Sequence, residues 1–271
     1  PIHWGLFNSF AAALCFIGLK TTYSLWIRSV LLGCAVLGSV LSVSSGAIIS
    51  ILLQMGIIAW AYIFHNLHRK WLILLITILA AYVSVDLASN RTPLQVFMSY
   101  ATFSAHSAYW RSTIFDWGLL NIQMQPFFGL GFKDWLRPEW MHTPSIDNFW
   151  LLIAMRFGVP AFSFLIFGYG WALRRISQRN FDHLPAIKAH RQAWIICVIG
   201  LGFALTTVHI WGAIYSLTFF IVGSGMWLVT TGTKGAVTTP AKVGPIISPR
   251  APNLTYCRTD STLAYSRRRN R

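Results

Sequence analysis

Residues 86–148, which end in Trp140-Met141-His142-Thr143-Pro144-Ser145-Ile146-Asp147-Asn148, form a polar and aromatic segment, whereas the sequence on both sides is almost entirely apolar. Its four cations and five acids nearly cancel, while the other polar stretches of the chain are strongly basic. A near-neutral loop that carries Trp, Arg, Asp and His between apolar helices is where we expect the chemistry of this protein.

The composition around this loop is typical of a membrane protein. The chain is 55% hydrophobic and 11% charged, with a mean hydropathy of +0.55, and is far more apolar than an average soluble domain. Seven spans of about 17–22 residues, one loop and one tail account for its whole length. We therefore predict an all-α, polytopic transmembrane bundle of about seven spans over residues 1–230, with the large loop at 86–148 and a disordered basic tail at 231–271.

Seven apolar runs are the predicted spans. The fifth contains Pro160, which predicts a kink, and a further amphipathic helix is predicted within the loop over residues 109–124. The first run is short for a span, so we expect the chain to be the C-terminal part of a longer membrane domain. The runs cover residues 4–19, 25–43, 47–64, 71–85, 149–173, 194–208 and 211–229.

The net charge of +15 is distributed as membrane topology requires. Basic stretches at Lys20, at Arg69-Lys70, at 174–191 and in the tail fall on one side if the spans alternate, and that side is the cytoplasm. The loop at 86–148 then faces outward. We expect these cations to contact anionic lipid headgroups and not nucleic acid. The four cysteines have no CxxC spacing, which argues against a disulfide framework or a zinc site.

The outward loop offers candidates for chemistry without ATP. No Walker, HExxH or GxSxG motif occurs in the sequence, so a donor already in the membrane is expected. Arginine suits the phosphate oxygens of an anionic headgroup, and the loop tryptophans suit sugar faces or the bilayer interface. His142 and Asp147 are candidate proton acceptors for a hydroxyl nucleophile. His142 equally suits a structural hydrogen bond, and Asp147 a helix N-cap.

Arg156 is unusual because it falls about 10 Å inside the helix that re-enters the membrane, by the helical rise. A charge at that depth points to a functional site or an ion pair. The alternative is that its long side chain reaches out to the headgroups.

Four sequence pieces together resemble the conserved core of the O-antigen ligase and polymerase superfamily, and the resemblance extends over residues 39–229. The pieces are Ala108-Tyr109-Trp110-Arg111, Pro126-Phe127-Phe128-Gly129-Leu130-Gly131-Phe132, Ser145-Ile146-Asp147-Asn148-Phe149-Trp150-Leu151 and Arg156-Phe157-Gly158-Val159-Pro160. The resemblance implies a multi-pass protein of the bacterial inner membrane. It also implies glycosyl transfer, without a cofactor or metal, from a polyprenyl-diphosphate-linked glycan to a sugar hydroxyl of another glycan or of lipid A core.

The resemblance also suggests roles for loop residues. Arg111 and Arg91, helped by Arg156, are expected to hold the diphosphate, and Asp147 or His142 to accept the proton while the anomeric carbon inverts. Membrane lipids and a chain-length regulator or flippase are expected partners. Further substrate contacts are expected from Lys133, Arg137, Asn148 and Trp110.

The sequence departs from the family pattern at two places. Many relatives carry a Ser-Arg-Gly-like motif where this chain has Ser44-Ser45-Gly46, so that Arg28 or Arg91 would have to compensate. Ligases tend to carry His-Asn where this chain has Asp147-Asn148, which favours the polymerase branch. The alternatives are an O-antigen ligase and, in another class, a transporter of lipid-linked glycan or an inactive membrane fragment.

Overall fold

The computed structural model describes residues 2–89, 96, 105–208, 210 and 212–231, and this part of the chain is helical without any strand. The predicted all-α class is therefore confirmed. A 3₁₀ turn at Gly18–Thr21 follows the first helix. The α-helices of the described part are α1 (Ile2–Phe16), α2 (Leu25–Leu41), α3 (Ser45–Ile63), α4 (Lys70–Ala88), α5 (Ala105–Met124), α6 (Phe149–Ser177), α7 (Pro185–Ala204), α8 (Ala213–Ser224) and α9 (Trp227–Thr230).

Each predicted apolar run overlaps these helices over most of its described length, and α5 contains the helix predicted within the loop over residues 109–124. Four segments are long and apolar enough to cross a membrane, namely Ile2–Thr21, Ser45–Ile63, Lys70–Ala88 and Phe149–Ser177. Leu25–Leu41 and Ile214–Thr230 are shorter apolar helices. Helix α7 begins at Pro185, well before the predicted start at residue 194, and its first two turns carry Lys188 and Arg191. The total of seven spans stays a prediction, and the tail at 231–271 falls almost entirely outside the described residues.

The main core lies where α1 packs against α2, α3 and α7, and α3 packs against α7. Leu6, Phe10, Val198 and Leu201 are among its buried side chains. Small residues allow the helices to approach closely, as is usual between helices in a membrane. For example, an added Cβ at Gly5 would lie 2.8 Å from the Cβ of Ala47.

A strip of polar groups also crosses this core. The buried Gln54 on α3 donates from Nε2 to the carbonyl oxygen of Ser9 on α1, at 2.8 Å. Ser50, one turn earlier on α3, donates from Oγ to the carbonyl oxygen of Gly200 on α7, at 2.9 Å. These buried hydrogen bonds join three helices in the bundle interior, where the low dielectric strengthens them.

Helix α4 differs from its neighbours because none of its residues is buried. Its first turn is fastened to the end of α3, where the indole N–H of Trp60 donates to the carbonyl oxygen of Lys70 at 3.1 Å. An apolar helix with this exposure is suited to a lipid-facing position.

Helix α6 is broken at Gly158, whose backbone angles are φ 81° and ψ 170°, next to Pro160. The predicted kink is thus confirmed. Because proline has no N–H, the carbonyl of Arg156 loses its helical donor. The loop segment 126–131 replaces the missing hydrogen bonds. Leu130 N–H donates to Met155 O at 2.8 Å, Gly131 N–H to Arg156 O at 2.9 Å, and Val159 N–H to Pro126 O at 2.7 Å.

Glycine is needed on both sides of this contact. A Cβ at Gly129, where φ is +66°, would lie 2.6 Å from the carbonyl oxygen of Arg156. A Cβ at Gly158 would collide with the carbonyl oxygen of Phe127. Two of the four sequence pieces quoted above, 126–132 and 156–160, are therefore the two halves of one backbone contact.

A second apolar cluster supports the loop that follows this contact. Its buried members come from α5, from the first turns of α6 and from residues 135–146. The buried Asn121 of α5 holds the backbone of Leu136 at both ends: its Oδ1 accepts from Leu136 N–H at 2.9 Å, and its Nδ2 donates to Leu136 O at 2.8 Å. The buried members are Ile114, Trp135, Met141, Ile146, Leu151 and Met155.

Candidate functional site

The candidate site lies where four helices come together. Helices α3 and α6 begin there, α7 ends there, and α5 contributes residues from its first half. Arg111, Ile114 and Asp147 line two adjoining cavities there. The smaller is a crevice that also reaches Asn148 and the hydroxyl residues Thr206 and Thr207. The larger has a volume of about 300 Å³ and extends to His106, Trp110, Thr143 and Ser145.

Arg111 is the central cation of the site. Its Nη2 donates to Ser45 Oγ at 3.2 Å. Its Nε and Nη1 are buried, and neither has a hydrogen-bond partner among the described residues. A buried donor without a partner costs about 1–3 kcal/mol, and more when the group is charged. The arrangement is therefore suited to an anion that accepts from the free edge of the guanidinium group.

The electrostatics of Arg111 lead to the same conclusion. Burial lowers the pKa of its guanidinium group, and the nearby Asp147 carboxylate opposes this shift by raising it. A bound phosphate would favour the charged guanidinium in the same direction as Asp147 does.

Helix ends add positive potential to the site. Helix α3 begins at Ser45 and α6 at Phe149, and each helix N-terminus is the positive end of a helix dipole. Gly46 allows the segment after α7 to approach α3, since a Cβ at this position would lie 2.7 Å from Thr207 Oγ1. The site thus combines one partly buried arginine, two helix N-termini and several hydroxyl groups.

The cap of α6 is Asn148, whose Oδ1 accepts from Leu151 N–H at 3.1 Å. The N-cap alternative for Asp147 is therefore wrong, because the next residue fills that position. The Asp147 carboxylate lines both cavities instead. Of the residues predicted from the sequence, the structure brings together Trp110, Arg111, Asp147 and Asn148.

Trp110 and His106 line the larger cavity, and two further aromatic side chains pack behind Trp110. The indole N–H of Trp110 donates to His106 Nε2 at 2.6 Å. Trp140 meets Trp110 edge-on, with ring centroids 5.4 Å apart, and stacks on Tyr109 at 6.2 Å. His106 was missed in the sequence, although its spacing of four residues before Trp110 predicts neighbouring positions on a helix.

The other predicted site residues lie elsewhere. His142 and Lys133 are exposed and line neither cavity. Arg137 fastens the loop, because its Nη1 contacts Asp134 Oδ1 at 2.5 Å and its Nε donates to Met141 O at 2.9 Å. Arg28 donates to Phe16 O near the first turn of α2, at the opposite end of that helix from Ser45. Arg91 lies outside the described residues.

The position of Arg156 along α6 indicates how deeply this residue lies in the bilayer. Arg156 is exposed, and its guanidinium group lies over the ring of Phe132 at 5.9 Å. It precedes Arg174, in the last turn of α6, by about 27 Å of helical rise. Since the apolar core of a bilayer is about 30 Å thick, Arg156 falls near its boundary if Arg174 marks the opposite one.

The fold and the site together define a polytopic helical membrane protein with an arginine-lined pocket at one end of its bundle. The Wzy_C family model, described as O-antigen ligase, matches residues 29–166, slightly more than half of the chain and a range that includes all four sequence pieces. The chain therefore belongs to the O-antigen ligase family. The search of curated proteins gave no match. Membership implies, in general terms, ligase- or polymerase-like glycosyl transfer between a lipid-linked glycan and an acceptor.

Proposed function

We propose that this protein is a bacterial envelope polysaccharide polymerase. It transfers a glycan from polyprenyl diphosphate to a sugar hydroxyl of a second glycan, at the outer face of the inner membrane. The observation that carries the proposal is Arg111, whose guanidinium has two buried nitrogens without a partner among the described residues, in a pocket at the end of a membrane bundle. A lipid diphosphate is an anion that reaches such a pocket from the bilayer.

In this mechanism Arg111 binds the diphosphate and stabilises the charge that develops as it leaves. The N-termini of α3 and α6 act in the same direction. Ser45 stands where many relatives have a second arginine, and its hydroxyl orients Arg111. Arg91 remains a proposed second cation. Since protein groups neutralise the leaving group, no step of this mechanism uses a metal ion.

Asp147 is the proposed proton acceptor. Its carboxylate lines the same two cavities as Arg111, so a hydroxyl nucleophile in the larger cavity lies within its reach. The bond from the acceptor oxygen to the anomeric carbon forms as the bond to the diphosphate oxygen breaks, with inversion. His142 lines neither cavity, which makes Asp147 the better supported of the two candidates.

The polymerase branch is favoured over a ligase by Asp147-Asn148, at the position where ligases tend to carry His-Asn. A ligase performs the same chemistry on lipid A core. The two activities differ in their products: a polymerase gives a ladder of repeat numbers, and a ligase gives a capped core.

The test is complementation of a strain that lacks its envelope glycan polymerase. Wild-type protein should give a ladder of repeat lengths on a gel, and Arg111→Ala and Asp147→Asn should each reduce it to a single repeat at equal membrane abundance. Arg174→Ala, an exposed arginine at the other end of α6, is the matched control and should keep the ladder. A full ladder with Arg111→Ala would refute the central role of this residue. Transport of donor without any new glycosidic bond would favour a transporter.

A further inference from the structure

The larger cavity extends well beyond the diphosphate-binding end of the site. Its volume of about 300 Å³ is at the lower end of the range for pockets that hold small organic ligands. The cavity shares Arg111 and Asp147 with the smaller crevice, whereas Trp110, Thr143 and Ser145 line the larger cavity only. The diphosphate mechanism uses only the shared pair.

Trp110 is held in place before any ligand arrives. An indole N–H can only donate, so His106 Nε2 must be the acceptor of the 2.6 Å hydrogen bond, and the proton of a neutral His106 is on Nδ1. Trp140 supports Trp110 from another direction, edge-on at 5.4 Å. A ring fixed in this way loses little conformational entropy when a ligand packs against it.

Hydroxyl groups complement this aromatic wall. Thr143 and Ser145 are exposed residues of the cavity lining, and each hydroxyl can donate and accept. A pyranose ring has apolar C–H faces and a rim of hydroxyl groups. An aromatic wall next to hydroxyl side chains therefore matches a sugar ring better than it matches a second phosphate or an acyl chain.

We propose that the cavity between Trp110 and Thr143 is a saccharide subsite, in which Trp110 is the stacking platform and His106 is its positioning residue. The inference rests on the proposed function, which puts the diphosphate at Arg111. In a glycosyl diphosphate the first sugar is bonded directly to the phosphate, so its subsite must adjoin the anion site. Arg111 and Trp110 line the same cavity, as this geometry requires.

The experiment measures how much a sugar adds to binding. Full-length protein in lipid nanodiscs is titrated with farnesyl diphosphate and with its glucosyl, galactosyl and N-acetylglucosaminyl derivatives. For at least one sugar, wild-type protein should bind the derivative about tenfold more tightly than farnesyl diphosphate. Trp110→Ala should remove most of this ratio, Trp110→Phe should keep part of it, and His106→Ala should give an intermediate value. Trp26→Ala, an exposed tryptophan at the far end of α2, is the matched control.

A loss of fold would weaken the binding of farnesyl diphosphate and of its glycosyl derivatives equally. The ratio of their affinities therefore reports the contribution of the sugar alone. The proposal is overturned if Trp110→Ala keeps the wild-type ratio and also binds methyl glycosides as tightly as wild-type protein does. If Trp110→Ala weakens only the binding of methyl glycosides, the subsite holds the acceptor sugar. If Trp110→Ala lowers the ratio measured with the lipid-linked probes, the subsite holds the donor sugar. The role of Arg111 in binding the diphosphate is tested separately. It would be refuted if Arg111→Ala bound farnesyl diphosphate as tightly as wild-type protein does.

Discussion

Replacement of Gly158 by alanine is the most demanding test of how the site is supported. At φ 81° and ψ 170° the backbone is in a region that essentially only glycine occupies. The added Cβ would also collide with the carbonyl oxygen of Phe127. The substitution therefore strains α6 and at the same time pushes away the loop segment 126–131 that is bound to it.

The magnitude follows from the two effects. Backbone strain at such a position costs about 1–3 kcal/mol. If the segment leaves, the three hydrogen bonds at Pro126, Leu130 and Gly131 are lost, each worth about 0.5–1.5 kcal/mol. Together these effects amount to about 3–7 kcal/mol, the size of a severe single substitution. We expect local opening of the segment first, because its hydrogen bonds are the ones at the collision.

The assay is hydrogen exchange of full-length protein in detergent, followed for the amides of Leu130 and Gly131. In Gly158→Ala these amides should exchange at least about 100-fold faster, since each 1.4 kcal/mol corresponds to a factor of ten. Gly168→Ala is the matched control. It lies in the same helix, with no atom within 4 Å of the added Cβ among the described residues, and should be neutral or stabilise by about 0.5–1 kcal/mol. Equal exchange in the two variants would refute the backbone contact.

Three further outcomes follow from single side chains. Asn148→Ala should lower the unfolding free energy by about 1 kcal/mol through loss of the α6 cap, while Asn148→Asp should retain the cap. Thermal unfolding in detergent compares the two variants, and equal losses of stability would contradict the cap. The hydrogen bond from Arg137 lowers the pKa of the Asp134 carboxyl, so the pair contributes fully above the ordinary Asp pKa and is lost as the pH falls through the lowered value. Carbon NMR titration of Asp134 should therefore show a higher midpoint in Arg137→Gln, and an unchanged midpoint would argue against the pair. Gln54→Leu removes the Nε2 hydrogen bond to Ser9 O but also a buried Oε1 without a partner in the described part of the chain; the two effects oppose each other, so the variant should unfold in SDS within about 1 kcal/mol of wild type. Gln54→Glu should lose several kcal/mol by burying a charge, and similar losses in the two variants would show that Oε1 is satisfied.

The helices could be predicted because membrane spans are read from long apolar runs, and Pro160 predicted the break in α6. The start of α7 could not be predicted in this way, because its first two turns carry Lys188 and Arg191. A hydropathy pattern detects the part of a helix that lies in lipid. It does not detect the part that continues into water, where capping and backbone hydrogen bonding decide where a helix begins.

The site was predictable only in part, for a similar reason. Arg111 was predicted from its place in the first of the four family pieces, and Asp147 from its position just before the helix that re-enters the membrane. The roles of Asp147 and Asn148 could not be separated from sequence, because either residue can cap a helix and only the backbone shows which one does. Thr206 and Thr207 carry no sequence signal at all. They reach the site because Gly46 allows the end of α7 to approach α3.

The four family pieces divide into two physical tasks. Ala108 to Arg111 and Ser145 to Leu151 deliver the cation and the carboxylate of the site. The other two pieces bind each other through their backbones, and Arg156 takes part in that contact through its carbonyl oxygen. Because the contact lies only about two turns beyond Asp147, it fixes the first turns of α6 against the loop that leads back to α5. A short Gly-rich segment and a Pro-broken helix thus support the geometry of the site through their backbone hydrogen bonds.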